Sequence, residues 1–134
     1  ALITAVLRGV EVHIVVSEVV DQLLVNLAQC SYYDQLLSHG VRIHRYRGYL
    51  LHAKAVRIDA GLGIVGSSNV DVRSFQLNEE VSLLLLDPST IAELARIQQD
   101  YIAGSDELLL GEWRARPRLR HFAENGARLV SPLL

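Results

Sequence analysis

Residues 52–69 read HAKAVRIDAGLGIVGSSN. HAKAVRID (52–59) is read as a strand, Gly61 as a turn and LGIVG (62–66) as a second, short strand. Side chains two apart on a strand point the same way, so His52 and Lys54 reach one spot. An imidazole beside an ammonium suits a phosphate diester. The imidazole can attack phosphorus or protonate a leaving oxygen, and the ammonium offsets charge on the phosphoryl oxygens. Strict alternation puts Asp59 on the opposite face, better placed to hold loops than to touch substrate. GSSN (66–69) follows. Ser67 and Asn69, again two apart, offer a hydroxyl, a carboxamide and turn N–H groups as a phosphate cradle. Glu80, eleven residues beyond Asn69, is a carboxylate able to fix a histidine tautomer.

Strands and helices alternate outward from this stretch. A helix over 1–8 ends at Gly9, and VEVHIVV (10–16) reads as a buried strand. Residues 20–39 form two helical pieces, with Leu23, Leu24, Leu27 and Ala28 on one stripe and Leu36 and Leu37 on the next, stopped by Gly40. VRIHRY (41–46) is a strand, and SSNVDVRSFQLN (67–78) an ordered loop. EEVSLLLLD (79–87) is a strand, and Pro88 opens a helix over 89–103 with Asp87 as its cap. Residues 105–134 are expected to be a helical tail packed on the domain, with short helices around Trp113 and over 118–125. The pattern predicts an α/β or mixed α+β layer protein, one domain over 1–134.

Composition narrows the function. The chain has 134 residues, 50% hydrophobic and 21% charged, which excludes a disordered chain. Its one cysteine, Cys30, excludes a disulfide framework and is read as a buried, inert thiol. No apolar run approaches the ~20 residues of a membrane span. The thirteen basic residues are twelve Arg and one Lys, Lys54. Between Asp34 and Asp59 there is no acid, while Arg42, Arg45, Arg47, Lys54 and Arg57 crowd together. That is either a solvated basic edge or a surface facing an anion. A net charge of −2 makes nucleic acid an unlikely partner. His13 reads as a core histidine. His39, His44 and His121 lack metal-ligand spacing, so no metal is expected. GLGIVG (61–66) spells a dinucleotide fingerprint, but no helical stripe follows it, so no nucleotide cofactor is expected. Trp113 and the Leu run at 83–86 read as core. The chain has no Met and opens as if inside a helix, as expected of a piece of a longer protein.

The pattern H-x-K-x4-D-x6-G-S-x-N, as His52, Lys54, Asp59, Gly66, Ser67 and Asn69, resembles the signature of the phospholipase D superfamily at every position. Asp71, Arg73, Ser74, Asn78 and Glu80 extend it in a way that resembles the bacterial cardiolipin synthase branch. RGVEVHIVV, SYYDQLLSHGVRIHRY and RLVSPLL do likewise. The resemblance covers essentially the whole chain and matches the C-terminal half of such enzymes. It implies a mixed β-sheet flanked by helices, one of two pseudo-repeat halves whose H-x-K motifs meet at one active site. One histidine forms a phosphohistidine. The other, the role it gives His52, protonates the leaving alcohol and then activates the acceptor. It makes Lys54 and Asp59 part of the catalytic motif and Gly66, Ser67 and Asn69 the phosphate binders. Glu80 would bond the opposite histidine. Asp71 and Arg73 would either pair and pin the loop or touch a glycerol headgroup. The implied reaction is transphosphatidylation of phosphatidylglycerol at the cytoplasmic membrane surface of a bacterium, without metal or organic cofactor. Only one H-x-K motif is present, so the partner would be the half carrying the first motif, or a second copy. The alternative is a phosphodiesterase or nuclease of the superfamily working as a homodimer.

Overall fold

The computed structural model describes residues 1–67, 81–117, 124, 126 and 127. In chain order its elements are α1 (Leu2–Leu7), β1 (His13–Ser17), α2 (Leu23–Cys30), α3 (Tyr33–Ser38), β2 (Arg42–Tyr46), β3 (Ala55–Ile58), β4 (Leu62–Gly66), β5 (Ser82–Leu85), α4 (Pro88–Ala103), β6 (Ser105–Glu107) and α5 (Leu110–Arg114). They divide into two compact units, Ala1–Leu51 with the chain from Gly104 onward, and His52–Ala103. Among the described residues no helix is long and apolar enough to cross a membrane.

The first unit holds a mixed sheet in the order β1-β2-β6, with β1 and β2 parallel and β6 antiparallel to β2. Two glycines set the entry of its parallel strands. Gly9 and Gly40 both sit at φ +88, where a side chain is strained. Gly40 N–H donates to Leu37 O (3.0 Å) and Val41 N–H to Leu36 O (3.1 Å). Gly9 N–H to Val6 O (2.8 Å) and Val10 N–H to Ala5 O (3.1 Å) repeat the arrangement. Both are Schellman closures, and each releases the chain towards a strand. The core gathers Cys30, Tyr33, Val41, Ile43, Leu108 and Trp113, with Ile14, Leu36 and Leu37 packed on it. Arg116 lies over the Trp113 ring, 3.0 Å from its centroid, and grips the buried Glu124 with two hydrogen bonds of 2.7 and 3.1 Å.

β6 departs from the helical tail expected from residue 105. Its sequence, SDE, has no apolar alternation to announce a strand. It is held at the sheet edge by charge: Glu107 accepts two bonds from Arg42 (2.8 and 2.7 Å), and Asp106 pairs with Arg47. Acidic side chains on an edge strand also discourage further pairing.

The histidine assignment is corrected as well. His13 is exposed, and the buried histidine is His44, at 3% exposure. Their rings are parallel, with His13 Nδ1 2.9 Å from His44 Nε2 and His13 Nε2 2.9 Å from Glu11. A carboxylate only accepts, so a neutral His13 carries its proton on Nε2 and accepts from His44 Nε2–H. Burial lowers the His44 pKa from 6.5; the charges of His13 and Arg42 act the same way, and Glu107 opposes them. A depressed histidine pKa means the unfolded chain binds more protons as pH falls, so stability rises with pH. The contribution of His44 is complete above about pH 6.5 and declines below it until pH reaches the lower folded value. Denaturant titrations between pH 5 and 8 should show that decline, and His44→Gln should flatten it.

The second unit is an antiparallel meander, β3-β4-β5, carrying α4. Asp87 caps α4 as expected: its Oδ2 accepts from Thr90 N–H and from the Thr90 hydroxyl, both at 2.8 Å. These bonds and that from Ser89, which is the strongest influence, hold the Asp87 carboxyl at about 2. Gly63 admits Leu94 of α4, since a Cβ there would lie 3.1 Å from the Leu94 side chain. The Leu run at 83–86 is not core: Leu83, Leu84 and Leu86 are exposed. Trp113 is buried as expected, and so is Cys30.

Candidate active site

His52 and Lys54 meet, although by a different local structure from the one expected. The strand begins at Ala55, after both residues. The last ladder bond joins Gly66 N–H to Lys54 O (3.1 Å). Beyond it Ser67 N–H turns to Val81 O (3.0 Å), so β4 offers His52 and Ala53 no partner. Freed from the pleat, the Lys54 side chain folds back. Its Nζ donates to His52 Nε2 (2.7 Å) and to His52 O (3.0 Å). The imidazole thus presents its Nε2 lone pair to the ammonium and carries its proton on Nδ1.

The pair lines a cavity of about 400 Å³ with Gly66 and Ser67. Among the described residues Lys54 meets no carboxylate, whereas the arginines around it in sequence are engaged. Arg42 bonds Glu107 and Glu11, Arg47 pairs with Asp106, Arg45 lies 3.9 Å from Glu18, and Arg57 bonds Gln98 and Asp59 O. The basic run is therefore mostly internal pairing, and among the described residues Lys54 and Arg57 are its two cations with no acidic partner.

Ser67 lines the same cavity. Its hydroxyl accepts Val81 N–H (3.1 Å) and lies 3.4 Å from Val81 O. It joins residues 67 and 81, a role for the Val81 backbone that no sequence signal announced. Gly66 is required here: a Cβ would fall 2.5 Å from Val81 O and 2.8 Å from Ser82 Cα. Asp59 is not brought to the pair. It sits at the opposite end of β3, in the turn to β4, at φ +51, a conformation aspartate tolerates better than most residues. Asn69, Asp71, Arg73 and Glu80 lie outside the described residues, as does the loop expected at 67–78 beyond Ser67.

A histidine–lysine pair beside a glycine–serine turn, on an α/β scaffold, is an arrangement chemically able to hold a phosphate group. A similar fold occurs in a crystal structure described as a phospholipase D family member, Nuc from Salmonella typhimurium. The TM-score is 0.68 at 20% identity, covering 80% of this chain and 70% of that one. The sequence profile of the family described as "Cardiolipin synthase, PLD-like domain" matches residues 1–101, and the chain belongs to that family. Cardiolipin synthase A of Serratia proteamaculans (strain 568) is 42% identical over 134 residues, and that of Proteus mirabilis (strain HI4320) 39%. Both alignments take in all of this chain, which spans 28% of the length of each of these curated relatives.

Proposed function

We propose that the chain supplies one of two histidine motifs in a phosphatidyltransferase that makes cardiolipin from phosphatidylglycerol at the membrane surface. The observation that carries the reading is the His52–Lys54 contact of 2.7 Å in a cavity floored by Gly66 and Ser67. The other motif comes from the half of the enzyme carrying it. Its histidine attacks phosphorus, and the P–O bond to glycerol breaks as His52, protonated on Nε2, gives the alkoxide its proton. His52 then takes the hydroxyl proton of a second phosphatidylglycerol, whose oxygen attacks phosphorus as the P–N bond to the first histidine breaks. Lys54 turns its ammonium from Nε2 to the phosphoryl oxygens, where charge builds in each transition state. Asn69 completes the phosphate cradle, Glu80 fixes the opposite histidine, and Asp59 holds the hairpin turn of the motif. Asp71 and Arg73 pin the loop or touch the glycerol headgroup.

The test follows phosphatidylglycerol labelled in its terminal glycerol. A protein carrying both motifs should release free label and form cardiolipin in step, while the 134-residue chain alone forms none. Turnover by the chain alone, lost in His52→Ala, would replace the half-site reading by paired copies. Cleavage of a nucleic acid but not of the lipid would overturn the lipid assignment.

A further inference from the structure

The His52–Lys54 contact conflicts with the work asked of the histidine. A general acid must carry its proton on Nε2, yet that atom accepts from the lysine ammonium at 2.7 Å. A second bond, from Nζ to His52 O (3.0 Å), holds the ammonium in place. At this distance an N–H on Nε2 would point at an N–H on Nζ, and two cations would face each other. The resting pair therefore carries a single charge, and the imidazole has no proton at the atom that must donate one.

No other group among the described residues changes that balance. Gly66 and Ser67, which share the cavity, do not ionise at neutral pH, and Val81 meets Ser67 through its backbone. Arg57 is turned to Gln98 and to Asp59 O, and Asp59 sits in the turn at the far end of β3. Lys54 meets no carboxylate among these residues, so its ammonium stays on the imidazole until an anion enters.

A phosphoryl group reverses the preference. Its anionic oxygens accept from the ammonium more strongly than a neutral ring nitrogen does. Once the ammonium moves, the Nε2 lone pair lies beside an anion instead of a cation, which favours the imidazolium. His52 is exposed, so solvent can supply the proton.

We propose that Lys54 is a latch on His52: the ammonium keeps the proton off Nε2 until a phosphoryl group draws it away, and the histidine then takes a proton from solvent. Lysine keeps its three protons throughout. The Nζ–H bond to Nε2 is exchanged for one to a phosphoryl oxygen, and one proton from water forms the new Nε2–H. The acid is thus loaded by its own substrate, and an empty site holds none. The latch rests on the phosphatidyltransferase reading for its natural anion, but its test reads binding and proton uptake, not turnover.

The probe is inorganic sulfate, a tetrahedral dianion that does not titrate near neutral pH and cannot be transferred. Its binding to the protein that carries both motifs is followed by calorimetry at constant ionic strength, in buffers of different ionisation enthalpy. At about pH 8 the wild type should take up about one more proton per sulfate than His52→Ala. Its dissociation constant should rise with pH about tenfold per unit more steeply than that of the variant. In His52→Ala nothing holds the ammonium back, so the variant should bind sulfate more tightly than the wild type at about pH 8. Nitrogen-15 spectra of the imidazole, assigned by their loss in His52→Ala, should show Nδ1–H alone in the free protein at that pH. With sulfate they should show N–H on both nitrogens. Weaker sulfate binding by His52→Ala, equal proton uptake by the two proteins, or an Nε2–H in the free wild type overturns the latch. A wild type that binds no sulfate overturns it too, because the ammonium then never leaves. If these sulfate properties hold while the two-motif protein transfers no phosphatidyl group, the functional reading falls and the latch stands.

Discussion

Replacing His52 by alanine in a protein that carries both motifs should lower phosphatidyl transfer by about 10²–10⁴-fold, the range for a positioned general acid–base. The size of the loss should depend on the leaving group, and that dependence identifies the role. Glycerol leaves as a basic alkoxide and needs a proton as the P–O bond breaks. A phosphatidyl ester of p-nitrophenol leaves as a stable anion and needs none. If His52 is the acid, His52→Ala should retain most of the burst of nitrophenol release while losing transfer to the acceptor alcohol. If His52 were the nucleophile, both would vanish together, and the assigned role would be wrong. The 2.7 Å contact adds a second expectation. Lys54→Met removes a cation that among the described residues has no acidic partner, so it should cost activity on both leaving groups alike. That loss reports charge on the phosphoryl oxygens rather than proton transfer.

Much of the architecture was legible because its signals are local. Gly9 and Gly40 stop helices through a conformation other residues resist, and Asp87 caps α4 through a side chain three residues from its target. β1 is rich in β-branched and apolar residues. β6 was missed because nothing local makes it a strand: Arg42 and Arg47, some sixty residues away, hold its two acids on the edge of β2. The reading of His13 as a core histidine fails for a related reason. Period-2 reading says that His13 and its alternates share a face, but which face is covered depends on elements far off in sequence, and those bury His44.

The candidate site divides in the same way. Spacing alone brought His52 and Lys54 together, yet through a strand that stops short of both. Their meeting depends on the lysine folding back, which a pleat would forbid. Spacing also marked Ser67, but its hydroxyl is engaged by the backbone of Val81, a partner that any residue type could supply.

Gly66→Ala should be the most damaging substitution of a single atom in the second unit. The added Cβ would lie 2.5 Å from Val81 O, 2.6 Å from Ser82 Oγ and 2.8 Å from Ser82 Cα. Two of these are backbone atoms of β5 or its entry, which no rotamer change can move. Relief therefore requires β4 to shift from β5 at the Gly66–Ser82 pair. Overpacking of this kind costs about 1–3 kcal/mol, which urea unfolding would read as a lowered midpoint. The shift also reaches the chemistry, because Gly66 N–H holds Lys54 O and Gly66 lines the cavity with His52, Lys54 and Ser67. Transfer activity of the two-motif protein should then fall even at denaturant-free, low temperature, where the variant remains folded. Gly61→Ala is the control: nothing lies within 4 Å of its Cβ, so its stability should stay within about 0.5 kcal/mol of the wild type. If the two variants unfold alike, β5 does not approach Gly66 as described. The cavity beside His52 would then have to be rebuilt without it.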